Sequence, residues 1–520
     1  MSKRKASSSP GTGSSLRSTS NNSSSEYIPN SQLVDFVTRV WKNMLSRTWS
    51  YRSDGVFVPC DISFYSEVAR ARRDGMWLQF NNLLPSSTSF ASLYIRECYD
   101  VIGSQIKALE DAKVIIMSNR QPLVRPRCYR GLISGTPGVG KTCFLFFLLW
   151  RFTSLKHRVL FLFESETIYF DSMGSVFVVK GLPHASDSSF WNNELWCLFD
   201  GKDKGVSDLN KLPYSKCNFA IATSPRRDLV NDFKKSPLMK QFYVPVWTEV
   251  EMCDLAAFYG PPVNWRRRFS ILGGVPRHVL EISDNDPTEK IRQACMKCDL
   301  NDCLKMIDSV SDIDDNCKVL HTLVHIDCKS PFNHSSVRFA SKVALDTIMY
   351  SKGKVARNQM QEFLCSSAGH VTASAMRGQL FEKHAIETFA RGGAFAIREL
   401  VHWRTRDKNT PTPKQIILPP SEVEISERIS SSHSANKIYV PKSKTFGAID
   451  AWKPQFGAFQ ITVGTSHSNL SLHTKENQDA LGSNTVYWLL PPDTFPRFTK
   501  KCPVSIRQFA IEIPIGEIDV

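Results

Sequence analysis

The sequence has no apolar run of 18 residues. Its longest candidate, Phe144 to Trp150, falls far short of the ~20 residues a helix needs to cross a bilayer. No membrane partner is expected. The N-terminus, MSKRKASSSPGTGSS, lacks the hydrophobic segment of a secretory leader. The 14 cysteines follow no regular framework, which in a chain of 520 residues excludes a disulfide-built scaffold and points to reduced thiols inside a cell. No internal repeat stands out. Acidic side chains are few beside basic ones, 50 against 65, giving a formal charge of +15 and a pI near 9.2. Such a surplus favours a polyanion as partner, DNA first. A basic protein with no such target has the same composition. Lys3-Arg4-Lys5 offers a short nuclear-import patch or a solvated tail, so a nuclear location is the working expectation.

What is present supports packed cores: 42% hydrophobic and 11% aromatic residues in 58.8 kDa, enough for about three domains. Residues 1–30 are rich in Ser and Asn and are expected to be disordered. Residues 31–115 mix aromatics with short helical patterns, Leu33, Phe36, Val37, Val40 and Met44 among them, and show no chemistry. Residues 116–285 alternate strands and helices, 286–372 read as a mainly helical lid or connector, and 373–520 form another unit.

Gly135-Thr136-Pro137-Gly138-Val139-Gly140-Lys141-Thr142 is a complete GxxxxGK[ST] loop. Tyr129 to Ser134 reads as the strand before it and Cys143 to Phe152 as the buried helix after it. That context makes a nucleotide site. Gly135, Gly138 and Gly140 let backbone N–H groups face phosphate oxygens, and the helix N-terminus adds its dipole. Lys141 is expected to reach the β- and γ-phosphates of ATP, and Thr142 to offer its hydroxyl to Mg2+. Further strands are expected at Arg158–Phe163, Ser175–Val179, Leu195–Phe199, Asn218–Thr223 and Gln241–Val246, forming a largely parallel sheet.

Leu195 to Asp200 is an apolar strand ending in an acid, the form of a second magnesium-binding motif. Gly201 follows where many ATPases carry a catalytic Glu, so slow hydrolysis is expected. Glu194 and Asp203 are the nearby acids. Thr223 ends the next strand, either to touch the γ-phosphate or to cap the strand before Pro225. Gly273-Gly274-Val275-Pro276-Arg277-His278 then opens a helix, with Pro276 suited to its first turn. Arg277 is a candidate γ-phosphate contact from a lid, or a surface arginine.

Taken in order, SGTPGVGKT, ELWCLFDG, IATSPRR and LGGVPRHVL, with FGAIDAWKPQFGAFQITVGTSH further on, resemble the Crinkler and retrotransposon hot spot group over roughly residues 115–520. The resemblance implies a P-loop ATPase coupled to a restriction-endonuclease-like module. The fold class is then α/β: a P-loop NTPase sandwich with a helical lid, followed by an α+β restriction-endonuclease-like domain. A homo-oligomer through the NTPase domain is a candidate assembly. No LxLFLAK-type translocation motif is found, so secretion as an effector would need another route.

In the C-terminal unit the expected order is a helix around Arg377–Phe389, strands at Ala394–Val401, Phe446–Asp450 and Phe456–Val463, a helix at Thr474–Ala480, and strands at Thr485–Leu490 and Gln508–Ile513. That is the αβββαβ core of such nucleases. Their acids surround magnesium, which polarises the phosphodiester and supplies hydroxide. Asp450 would be the metal ligand, with Gln460 on the next strand and Glu382 holding a second ion or orienting water. Thr462 stands where the family pattern wants Lys. Lys475 is a candidate replacement, although a surface helical lysine is the plainer reading. The same residues also suit a purely structural hairpin, or an inactive fold that only grips DNA.

Cys295, Cys298, Cys303, Cys317, His321, His325 and Cys328 include a CxxC and an HxxxH, but the spacing fits no compact zinc finger, and cysteines pack well as small apolar groups. Arg226-Arg227, Lys234-Lys235, Arg266 to Arg268, Lys442, Lys444 and Lys500-Lys501 supply scattered charge. Arg266 to Arg268 follow Trp265, where stacking and phosphate contact could combine.

Overall fold

The computed structural model describes residues 56–85, 90–118, 128–202, 206–213, 215–224, 239–260, 264–280, 286–308, 319–401, 412–442, 449–465, 475–500 and 506–516. The expected tail, the Leu33–Met44 pattern and Lys3-Arg4-Lys5 lie outside them. The chain divides into a short unit, Met1–Val58, and a large one, Pro59–Val520. Among the described residues no helix is long and apolar enough to cross a membrane.

The fold is mixed α/β. Strand β1 (Phe57–Pro59) spans the division. A small antiparallel sheet follows, of β2 (Arg72–Asp74), β3 (Trp77–Gln79) and β4 (Ser92–Tyr94). Helix Glu97–Ser118 leads to β5 (Arg130–Ser134), helix Lys141–Ser154 and β6 (Arg158–Phe163). Then come β7 (Glu166–Phe170), β8 (Val176–Val179), β9 (Leu195–Asp200), β10 (Asn218–Ala222) and β11 (Met239–Tyr243). Strands β6, β9, β10, β5 and β11 lie side by side in that order, all parallel. Every residue of β9 and β10 is buried, as central parallel strands covered on both faces must be. These strands therefore read as continuous apolar runs. Outside β6, β7 and β8 turn back as an antiparallel meander; β7 has no counterpart among the strands expected from the sequence. The parallel order sets the C-terminal ends of β5, β10 and β9 next to one another, where ligands of open α/β sheets bind.

The region expected to be mainly helical contains a hairpin, β12 (Val324–Cys328) with β13 (Ser335–Phe339). Alternating burial in β13 shows why it pairs. Helices Leu300–Asp308 and Lys342–Ser366 pack against β13, and helix Pro287–Lys297 packs on Lys342–Ser366.

Helix Ser374–Arg391 opens the C-terminal part. Its sheet comprises β14 (Gly393–Glu399), β15 (Lys414–Leu418), β16 (Glu422–Ser426), β17 (Lys437–Pro441), β18 (Ala451–Lys453), β19 (Gly457–Ile461), β20 (Thr485–Leu490) and β21 (Arg507–Glu512), in the spatial order β15-β14-β21-β20-β19-β18-β17-β16. Six strands, not three, precede helix Lys475–Leu481. Three of them, β15, β16 and β17, were not expected: β15 and β16 are exposed along nearly their whole length and lack the apolar alternation that announces a strand, whereas β17 is a short buried run over Ile438–Val440.

Candidate functional site

Helix Lys141–Ser154 begins at Gly140, whose φ of 103° is left-handed, and a Cβ there would stand 2.6 Å from the Tyr99 hydroxyl. Only glycine meets both conditions. Lys141 is buried and donates from Nζ to the carbonyls of Gly135 (2.9 Å) and Thr136 (3.1 Å). Thr142 donates from Oγ1 to Asp200 Oδ2 at 2.7 Å. The other carboxylate oxygen accepts from the Lys202 N–H at 3.0 Å. A hydroxyl and a carboxylate thus converge beside the loop, and such hard oxygen donors suit magnesium. Thr223 is buried, its N–H donates to the Ile133 carbonyl at the end of β5, and its hydroxyl donates to the Ser224 carbonyl. Gly201 continues β9 by donating to the Ala222 carbonyl. Glu194 precedes β9 at the end away from Asp200, about 20 Å off at the usual rise of a strand, so it cannot serve this site. Asp203 lies outside the described residues.

Arg277 sits in the short helix Pro276–Val279, exposed, and a Cβ on Gly138 would lie 3.1 Å from its Cβ. Among the described residues its guanidinium makes no hydrogen bond or ion pair. Arg268 behaves differently from its neighbours. It is buried and donates from Nε and Nη2 to the His278 carbonyl, bracing the turn that carries Arg277. Of the expected basic run, only Arg266 and Arg267 face outward: Arg266 lies over Trp265 and Arg267 pairs with Asp286.

Residues from the region in which the sequence showed no chemistry hold the loop in place. Tyr99 donates to the Gly140 carbonyl at 2.7 Å. Arg96, 1% exposed, donates to the Pro245 and Val246 carbonyls, pairs with Glu251 and lies over Trp247. Trp247 joins the loop to the turn before Pro276: its indole N–H donates to the Val139 carbonyl, and its backbone N–H donates to the Gly274 carbonyl. A Cβ on Gly274 would fall 2.0 Å from the Trp247 carbonyl oxygen, so that contact requires glycine.

In the C-terminal sheet, Asp450 Oδ2 accepts from Gln460 Nε2 and from the Ile461 N–H, both at 2.7 Å. Asp450 directly precedes β18 and does not end a strand; Phe446 to Ala448 lie outside the described residues. Ile461 meets this carboxylate with its N–H, so its carbonyl points away from it along the strand ladder. Glu382 lies on helix Ser374–Arg391 and makes no hydrogen bond or ion pair among the described residues. Lys475 is exposed at the start of its helix. Neither is hydrogen-bonded to the Asp450–Gln460 pair. The Thr462 hydroxyl accepts from the Gly464 N–H.

No protein-family model matches the sequence. Two curated proteins do. Crinkler effector protein 15 and Crinkler effector protein 16, both of Phytophthora infestans, are each 35% identical over 471 residues, 89% of this chain and 73% of the relative. The chain belongs to the Crinkler family.

Electrostatics sharpen the picture of this Crinkler's loop. Burial pushes the Lys141 ammonium down to about 7; Asp200 opposes that shift and Arg277 adds to it. Burial also raises the Asp200 carboxyl, against the hydrogen bond from Thr142. Behind the loop, His278, His321 and His325 are held below the usual imidazole range by burial first, His278 to about 4 and His321 to about 3. Among the described residues no three His, Cys, Asp or Glu side chains are grouped to hold a metal. Cys295 and Cys303 are buried in the apolar core, which raises their thiols. Cys317, Arg226-Arg227, Lys234-Lys235, Lys444 and Lys501 lie outside the described residues.

Proposed function

We propose that this Crinkler is an ATP-binding P-loop NTPase whose nucleotide state controls a DNA-directed, magnesium-dependent nuclease-like module, and that it acts as an effector like the relatives whose names say so. The observation that carries this reading is the Thr142–Asp200 hydrogen bond beside a buried Lys141 at the mouth of a glycine loop. ATP would place its phosphates along the loop, with Lys141 leaving the Gly135 and Thr136 carbonyls to meet them. Magnesium would be held through Thr142 and Asp200, supplying charge neutralisation between phosphates. Exposed Arg277, a neighbour of Gly138, would fold over the γ-phosphate.

At the second site Asp450 and Gln460 offer one carboxylate and one carboxamide, a set suited to a single ion, and cutting there would be weak without a lysine at 462. One observation favours a second reading, a nucleotide-gated protein that binds DNA without cutting it: Asp450 Oδ2 is already engaged by two short hydrogen bonds. The test is DNA cleavage in magnesium and in chelator, with and without ATP, by wild type, Asp450→Ala and Lys141→Ala. Loss of cutting in Asp450→Ala, with DNA binding retained, supports the nuclease reading. No cutting by any form, with DNA bound, supports the gated binder. Unaltered nucleotide affinity in folded Lys141→Ala removes the nucleotide site.

A further inference from the structure

Thr136 is held through both its carbonyl and its hydroxyl. Its carbonyl accepts from Lys141 Nζ at 3.1 Å and from the Val139 N–H at 3.4 Å. Its hydroxyl accepts from the Ile326 N–H at 2.8 Å and donates back to the Ile326 carbonyl at 3.4 Å. The second attachment leads out of the NTPase sheet onto β12. His325, the preceding residue of that strand, is fully buried against the turn before Pro276: a Cβ on Gly273 would fall 2.7 Å from its ring. β12 therefore rests on the loop through Ile326 and on that turn through His325.

From β12 the connection continues by polar contacts. Ile326 is paired with Val337 and Val324 with Phe339 across the hairpin. The Phe339 N–H donates to Gln379 Oε1 at 2.8 Å, and Gln379 Nε2 donates back to the Phe339 carbonyl at 3.5 Å. Gln379 thus meets Phe339 with its side-chain amide as a neighbouring strand would with its backbone. It belongs to helix Ser374–Arg391, where Glu382 lies one turn further on. Near the end of that helix Phe389 packs edge-on against Phe459 at 4.8 Å, and Phe459 adjoins Gln460 on β19.

We propose that Thr136 is the positioning residue through which nucleotide state passes to the C-terminal sheet, by way of the hairpin and Gln379. The inference rests on the nucleotide-site reading above. Its physical basis is a competition for one ammonium. While Lys141 donates to the Thr136 carbonyl, that peptide is tied on both sides. A phosphate group in the loop draws Lys141 away, leaving the carbonyl only the longer bond from the Val139 N–H while the Ile326 bonds hold the hydroxyl. Thr136 then shifts toward β12, and β12 cannot move without β13, because the two share a ladder. A phosphate outside the loop offers no such exchange, which ties the signal to nucleotide binding and not to ionic strength.

The experiment follows amide hydrogen exchange in the full chain with and without saturating β,γ-imido-ATP, its binding measured separately by calorimetry. In wild type the analogue is expected to change exchange in 324–328 and in 374–391 by about fivefold, the net worth of one hydrogen bond. Gln379→Leu is expected to bind the analogue as wild type does and to keep the change at 324–328 while losing it at 374–391. Thr136→Val, at analogue saturating for that variant, is expected to lose both changes, and Thr136→Ser to restore them. Analogue binding to wild type with no change in 374–391 overturns this inference and leaves the nucleotide site standing. Persistence of the helix change in Gln379→Leu, or in folded, saturated Thr136→Val, also overturns it. Absence of analogue binding to wild type overturns both readings together.

Discussion

Lys141 is buried among backbone carbonyls with its ammonium weakened to about 7, so near neutral pH a sizeable share of the molecules carry it uncharged. A triphosphate favours the charged form. Binding must then take up a proton, and affinity must rise as pH falls from 8.5 toward 7. Below that pKa the lysine is already charged and the gain levels off. Calorimetry of β,γ-imido-ATP in buffers of different ionisation enthalpy is expected to show proton uptake at pH 8, absent in Lys141→Ala. Lys141→Ala is further expected to weaken binding at least ~10-fold, in keeping with loss of a charge-assisted contact. Beside it, Gly201 offers no carboxylate to activate water, and Glu194 is at the wrong end of β9. Steady-state turnover is therefore expected below ~10 per second, an ordinary enzyme rate; faster hydrolysis would reveal a base contributed from elsewhere.

Elements far apart in sequence set the loop's shape. Helix Glu97–Ser118 contributes Tyr99, and the turn before helix Glu249–Tyr259 contributes Trp247. Gly140 uses its carbonyl twice, for Tyr99 and for the first helical N–H, from Phe144. Tyr99→Phe removes only the outer bond, since the inner one keeps the carbonyl paired. The expected cost is about 1 kcal/mol of stability by urea unfolding, with a weaker affinity for nucleotide because the helix N-terminus is less firmly aimed. An unchanged affinity would mean that Tyr99 serves packing alone. In the C-terminal sheet the comparable arrangement is local: β18 and β19 are adjacent antiparallel strands, and their pairing delivers Asp450 to Gln460.

Across the molecule, the surplus of positive charge and three imidazoles, two buried and one half-buried, have opposite consequences for solution behaviour. If the surplus binds DNA, neutralising several phosphates makes affinity fall steeply with salt; a flat salt titration would assign the charge another role. The histidines govern acid stability. His278, His321 and His325 titrate lower in the folded protein than the usual 6.5, so the unfolded chain takes up protons first as pH drops. Their contribution is whole above about 6.5 and is lost progressively toward about 4 and 3. A lower urea midpoint at pH 5 than at pH 7.5 is expected, with the difference reduced in His321→Gln. His325 is fully buried against Gly273, so charging it acts on the contact between the hairpin and the turn before Pro276.

The glycine loop, the apolar strand ending in Asp200, and most strands of the parallel sheet were legible from residues alone. Their signals are local: a loop that needs glycines at fixed spacing, and strands buried on both faces that must be apolar throughout. The juxtaposition of Asp450 and Gln460 was legible for a similar reason, since they lie ten residues apart on one local hairpin. Tyr99, Trp247 and Ile326 were not legible as loop contacts, nor was Arg96 as the support beneath Trp247. Each acts through a backbone carbonyl or N–H of a segment far away in sequence, a partner that any residue type presents equally. The hairpin β12–β13 was hidden by its short length among helices, and β15 and β16 by their exposure. Local spacing therefore determined the groups that would meet phosphate and magnesium. Only the packing of β12 against the loop, and of Gln379 against Phe339, decided what those groups are connected to, because such contacts form between surfaces that the chain order leaves apart.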